Sequence, residues 1–194
     1  MKFFTIHGDL FSHVTVKKSH EHATFFLKQD DSLRSIGKAP IEACQAESCS
    51  RGRSSPVNFN LFHQAPIEGD IIAAVVHCVS EDVALRDGFS GKLVEAVGAG
   101  VRDKLRSEKP VIGETYLDYG AYHMVTKKRA WEMPTKKDFL AALASLRRSV
   151  VGGPYLWIVM PKIGSGHDSL PWDWVLSNVK KAFEDWEGHL IVCE

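Results

Sequence analysis

The stretch YLWIVMPKIGSGHDSLPWDWVL, residues 155–176, decides the fold. Its first residues are a continuous β-rich apolar run, as expected of a strand buried on both faces of a sheet. Gly164 and Gly166 then break the run, and from Trp172 onward the apolar positions Val175, Leu176, Val179, Phe183 and Trp186 fall at helical spacing. Strand, glycine-rich turn and helix in immediate succession is the unit from which open α/β sheets are built, and such sheets bind ligands outside the carboxyl ends of their strands.

The same alternation extends outward in both directions. IIAAVVHCV (71–79) is a second buried strand, and in the segment after Gly88 the residues Leu93, Val97, Val101 and Leu105 stand four apart, which predicts one helix face. ETYLDYG and AYHMVTKKR read as two strands around Gly120. TKKDFLAALASLRRSV reads as a helix whose start is marked by Pro134 and Thr135. HLIVC closes the sequence as a strand, and KFFTIH opens it as another. The predicted fold class is α/β, a mixed and mostly parallel sheet sandwiched between helices. Residues 12–68 carry little periodicity and read as an insertion with local structure of its own or as a mobile segment.

Composition narrows the function. The 194 residues fit one domain, and 24 Lys plus Arg balance 24 Asp plus Glu, so no overall positive field draws in nucleic acid. MKFFTIHGDLF is too short for a signal-peptide core or a spanning helix, which predicts a soluble, intracellular protein, cytoplasmic or nuclear, with no membrane partner. Four cysteines, two of them inside apolar runs, do not suggest a disulfide framework. His20, His22, Cys44, Cys49 and His63 fit no strong zinc template, and no metal or cofactor is expected.

The familiar nucleotide loops fail. A P-loop ending at Gly91 and Lys92 needs glycine at 86 and Ser or Thr at 93, where the chain has Arg86 and Leu93. Gly98 and Gly100 lie within a helical pattern and lack a third glycine at Asp103. The turn at 164–168 is different: it follows a strand, and its glycines allow successive N–H groups to face an anion beside a helix N-terminus. A simple chain reversal explains it equally well. The second unusual cluster is TKKRAWEMPT, from Thr126. Alternation sends His123, Val125 and Lys127 to one side, so that Lys127 reaches the same sheet edge as the glycine turn, while Lys128 points the other way as a solvated charge. Nearby positive charge and partial burial favour the neutral, nucleophilic form of an amine.

HCVSED (77–82), VTKKRA (125–130) with the downstream MPT, and MPKIGSGHDSLPW (160–172) stand in an order and spacing typical of macrodomains. More narrowly, they resemble the terminal ADP-ribose protein glycohydrolase branch, which also includes bacterial DNA ADP-ribosyl glycohydrolases, and the early GDLF completes the set. The resemblance covers 71–194 nearly continuously and about the first eleven residues. It implies a single macrodomain over 1–194 with an insertion at about 12–68, and an ADP-ribose cleft at the strand ends. Asp9, with Leu10 beside it, would receive the adenine amino group. Asp70 in GDII is the rival, disfavoured because Ile71 runs straight into a strand. Ser80 would touch the distal side of the ligand or cap its own turn.

The first diphosphate loop departs from the pattern. Relatives carry Gly-x-Gly, whereas this chain has Arg86-Asp87-Gly88 followed by Phe89 and Ser90, so Arg86 either pairs with the diphosphate or obstructs it. The second loop, Gly164, Ser165, Gly166 and His167, is intact, although a histidine at a turn is more often a bystander. Trp131 and Trp172 would close over the ribose or, for Trp172, join the core. The resemblance implies that Lys127 attacks the anomeric carbon of the distal ribose and that Asp168 moves the proton and hydrolyses the adduct, with no metal. The implied function is hydrolysis of mono-ADP-ribose from acidic protein side chains or related esters. The alternative is a non-catalytic ADP-ribose reader. The expected partners are ADP-ribose and ADP-ribosylated proteins, with nucleic-acid adducts also allowed, and a monomer is expected.

Overall fold

The computed structural model describes residues 1–18, 22–28 and 71–194. In chain order these form β1 (Lys2–Ile6), α1 (Leu10–His13), β2 (Val14–Lys18), β3 (Ala23–Leu27), β4 (Ile71–Ser80), α2 (Gly88–Val97), α3 (Gly100–Ser107), β5 (Thr115–Asp118), β6 (Ala121–Lys127), α4 (Lys136–Val151), β7 (Trp157–Pro161), α5 (Trp172–Ala182) and β8 (His189–Cys193). Among the described residues eight strands make one mixed sheet with the path β1-β8-β7-β4-β3-β2, and β6 pairs with β4 and carries β5 on its far side. The pairs β1/β8, β8/β7, β7/β4 and β4/β6 are parallel. The strands from the start of the chain and the hairpin contribute the antiparallel pairs.

β4 is the central strand, and its alternation explains the layers. Ala73, Val75 and Val79 face one core with Leu93, Val94 and Val97 of α2 and Val101 and Leu105 of α3. Ala74 and Val76 face the other, with Phe139, Leu143 and Leu146 of α4 and Val175 and Val179 of α5. Both faces are thus covered, as a parallel sheet requires. Burial of each Val, Leu or Phe among them contributes about 1.5–3 kcal/mol relative to leaving it exposed.

The structure corrects the sequence reading in two places. The apolar stripe from Leu93 to Leu105 belongs to two helices, because Gly98 takes φ 100° and ends α2 before α3 begins. The stripe survives the break because both helices face the same core. Within 12–68, where no strand was predicted, β2 and β3 form a hairpin whose second strand pairs with β4 through Phe25↔Ala73. Each is only five residues long and β2 ends in two lysines, so the alternation is brief.

α4 starts where the sequence places it, with Thr135 Oγ1 accepting from Asp138 N at 3.0 Å. No helix among the described residues is long and apolar enough to cross a membrane.

Candidate functional site

The parallel strands end along one edge of the sheet. The register sets Ser80 beside Lys127, and it aligns Ile6, Cys193 and Pro161 across β1, β8 and β7. The loops that follow these strands carry most of the residues singled out from the sequence.

Lys127 and Asp168 meet. Lys127 ends β6 and Asp168 comes from the loop after β7, yet Lys127 Nζ donates to Asp168 Oδ1 at 2.5 Å, and the two side chains are 9% and 8% exposed. An ion pair so shielded is costly to assemble unless its geometry is good, and such pairs in clefts are candidates for chemistry. Lys128 and Arg129 are exposed, as alternation predicts for Lys128. Cys78 lies close by, but burial, reinforced by the Asp168 charge, pushes its thiol well above the ordinary range, so it supplies no thiolate.

The glycine loop is shaped by its neighbours. Gly164 takes φ 71°, and a Cβ there would lie 3.0 Å from the Phe139 ring and 3.3 Å from Leu170, so glycine is required on two counts. Gly166 is not left-handed, and a Cβ on it would meet nothing within 4 Å. Among the described residues, the amides of Gly166, His167 and Asp168 have no backbone acceptor, which leaves them available to an anion. His167 is exposed and stands against the first loop: a Cβ on Gly88 would lie 3.7 Å from His167 Nδ1. The two loops therefore face each other.

The first loop is held in an unusual backbone path. Val83 and Leu85 have φ 49° and 42° while their side chains are buried, and Arg102 and Arg106 of α3 donate to Leu85 O at 2.7 Å and Val83 O at 3.4 Å. Arg86 is exposed, and the Arg86 carbonyl packs where a Cβ on Gly91 would be, 2.5 Å away.

A cavity of about 410 Å³ lies at the other end of the edge, lined among others by Asp9, Leu10, Gly88, Phe89 and Lys92. Asp9 caps α1, accepting from Phe11 N at 3.1 Å through Oδ1, and its Oδ2 is paired with Lys92. That lysine contact, seconded by the Phe11 amide against the opposing effect of burial, holds the carboxyl below its usual range. Phe89 stacks on Phe11 at 5.1 Å. Cys193 at the rim is raised to about 12 by burial and the Asp9 charge.

Other residues singled out from the sequence make local contacts. Ser80 Oγ donates to Asp82 Oδ1 at 2.5 Å, the partner of a local turn. Ser90 faces inward, its Oγ 3.0 Å from His77 Nδ1 and 3.4 Å from Cys78 O. Trp172 is half-buried against the core and donates from Nε1 to Glu194 Oε1, whereas Trp131 is 78% exposed. Asp70 and, of the zinc candidates, His20, Cys44, Cys49 and His63 lie outside the described residues. Within those, no cluster of three metal-binding side chains occurs.

Two features were missed. One is Lys92, which sequence reading met only as part of a failed P-loop. The other is a buried relay: His77 Nε2 to His123 Nδ1 at 2.7 Å, and His123 Nε2 to Asp118 O at 3.3 Å. With both rings neutral, three protons serve the three shorter contacts when Ser90 donates to His77, His77 to His123, and His123 to the Asp118 carbonyl, and the 3.4 Å approach of Ser90 Oγ to Cys78 O is then without a proton. Burial lowers His77 well below its ordinary value, with His123 adding to the effect, and it lowers His123 to about 4. Single histidines in strands 46 residues apart gave no sequence signal of pairing.

No protein-family model matches the chain. In sequence it is similar to the bovine ADP-ribose glycohydrolase OARD1, 29% identical over 126 residues, which span 61% of this chain and 82% of that protein. In structure it is similar to the macrodomain of Thermus aquaticus DarG, with TM-score 0.56, 21% identity and coverage of 68% of this chain and 91% of the other. Thermosipho africanus DarTG in complex with ADP-ribose matches with TM-score 0.53 and 14% identity, over 62% of this chain and 38% of that one. The chain has the macrodomain fold, and its similarity in sequence is to the terminal ADP-ribose glycohydrolase type.

Proposed function

Starting from a macrodomain scaffold similar to the terminal ADP-ribose glycohydrolase type, we propose that this chain binds ADP-ribose along the strand-end edge and releases it from acidic protein side chains. The observation that carries this reading is the shielded contact between Lys127 Nζ and Asp168 Oδ1. A structural ion pair has no need of a position at the carboxyl ends of two strands, beside a loop with unpartnered amides. The bovine relative's name and the ADP-ribose complex of the Thermosipho protein point to the same ligand.

In this reading the adenine end occupies the cavity at Asp9 and Leu10, and the diphosphate lies between Gly88 and the amides of Gly166 to Asp168. The distal ribose then reaches Lys127. Once the Lys127 ammonium of the ion pair has lost a proton to solvent, its amine attacks C1 of that ribose, forming the C1–N bond as the bond from C1 to the leaving carboxylate breaks with its electron pair. Asp168 takes the amine proton and returns it to the ring oxygen as the ring opens to the imine. Water adds to C1 of the imine with its proton going to Asp168, Asp168 passes that proton to the lysyl nitrogen, the C1–N bond breaks with its electron pair going to nitrogen as the C1 hydroxyl gives its proton to Asp168, and the aldehyde recloses to the ribose as ADP-ribose departs. Fixing the diphosphate is what brings the reacting carbon within about 3–3.5 Å of the amine.

The test is a pair of measurements on one sample. Calorimetric titration with ADP-ribose is expected to show binding, and a mass-spectrometric time course on a peptide ADP-ribosylated at glutamate is expected to show release. Binding without release identifies a reader, and absence of both refutes the reading.

A further inference from the structure

The acidic group at the cavity does not stand alone. Asp9 is fixed by its capping bond to Phe11 N, and Lys92, 83 residues further along and on a different helix, reaches it from α2. Both side chains line the same cavity and remain partly open, 45% exposed for Asp9 and 54% for Lys92. A carboxylate has about four lone-pair sites and an ammonium three donors. The Phe11 and Lys92 contacts leave acceptor capacity on Asp9, and the Asp9 contact leaves donors on Lys92. The cavity wall therefore offers an acceptor and a donor side by side.

That order matches one kind of base edge. A 6-aminopurine presents an amino donor at position 6 next to an acceptor at N1, whereas hypoxanthine presents an acceptor at position 6 next to an N1–H donor. In one fixed ring pose, the Asp9–Lys92 pair satisfies both groups of the first and opposes both groups of the second. A site built for a hydrogen-bonded edge rejects the analogue of reversed polarity because the ring, once seated, covers polar groups that are left facing their like. The cavity also supplies apolar cover for the ring, with Leu10 buried and Phe89 backed by Phe11.

We propose that Lys92 is a specificity-determining residue, acting with Asp9 as a two-point reader that selects a 6-aminopurine over a 6-oxopurine at this end of the ligand. The inference rests on the ADP-ribose reading above, since that reading puts the base here. It assigns Lys92 an attractive role in the complex, in contrast to a role as a competitor that occupies Asp9 and must be displaced.

The experiment is calorimetric titration of the full chain with ADP-ribose and with its hypoxanthine counterpart, inosine diphosphate ribose. Wild type, Lys92→Met and Lys92→Arg are compared. Wild type is expected to prefer ADP-ribose by at least roughly tenfold, as befits charge-assisted hydrogen bonds. Lys92→Met is expected to lose ADP-ribose affinity by roughly tenfold and to lose most of the preference, while Lys92→Arg, which keeps a donor, retains it. Melting temperatures of the three proteins are expected to agree, because Lys92 is on the surface. A Met variant that keeps the wild-type preference, or that binds ADP-ribose more tightly than wild type, overturns the role of Lys92 and leaves the ADP-ribose reading intact. A wild type that binds neither nucleotide overturns both.

Discussion

Lowering the pH from 7 to 5 is expected to destabilise the folded chain through its buried histidine pair. In the unfolded chain His123 takes up a proton near 6.5, but in the fold burial defers this to about 4. Between those values the unfolded state binds more protons, so stability is full above about pH 6.5 and falls as the pH drops toward 4. For His123 the loss from pH 7 to pH 5 comes to about 2 kcal/mol. His77, lowered for the same reason, adds a loss of the same sign. Asp118 works against them: burial raises its carboxyl from 3.8 to about 6. The native state therefore pays to hold that group charged at pH 7, and acidification to pH 5 relieves about 1 kcal/mol. Urea unfolding at pH 7, 6 and 5 measures the sum, which is a net loss for wild type. In Asp118→Asn the relieving contribution is gone, so the drop is expected to be steeper by about 1 kcal/mol. Stability that stays flat or rises from pH 7 to 5 in Asp118→Asn refutes the assignment of His77 and His123 as buried and neutral.

Two substitutions probe the loops. Gly164→Ala is expected to cost about 1–3 kcal/mol, because it places a Cβ at φ 71° against the Phe139 ring. Thermal unfolding and ADP-ribose titration of the same variant check this, with weaker binding expected beside the lower melting temperature. Ser90→Ala leaves His77 Nδ1 without its donor and is expected to cost about 1–3 kcal/mol in denaturant unfolding, whereas Ser90→Thr, which restores a hydroxyl, is expected to recover much of it.

How far the sequence could be read depends on the range of the interactions involved. The runs at 71–79 and 155–163 are legible because a strand buried on both faces must be apolar throughout, and the helix start at Thr135 because capping is local. Lys127 could be placed at the end of a strand because it closes the run that forms β6, and it lies against Asp168. Residues joined across the sheet were not legible. The His77–His123–Ser90 relay depends on the parallel register of β4 and β6, and the Lys92–Asp9 pair on how α2 docks beside the end of β1. The break at Gly98 was hidden because the apolar period continues across it. β2 and β3 were hidden by their brevity among charged residues.

Reductive trapping tests whether Lys127 forms the covalent bond to the distal ribose. The chain is mixed with a peptide carrying ADP-ribose on glutamate, an imine-reducing hydride is added during turnover, and the protein is digested and sequenced by mass spectrometry. One ADP-ribosyl adduct is expected on Lys127, absent in Lys127→Ala, together with loss of peptide hydrolysis in that variant and in Asp168→Ala. Full hydrolysis by Lys127→Ala, or an adduct confined to other lysines, contradicts it.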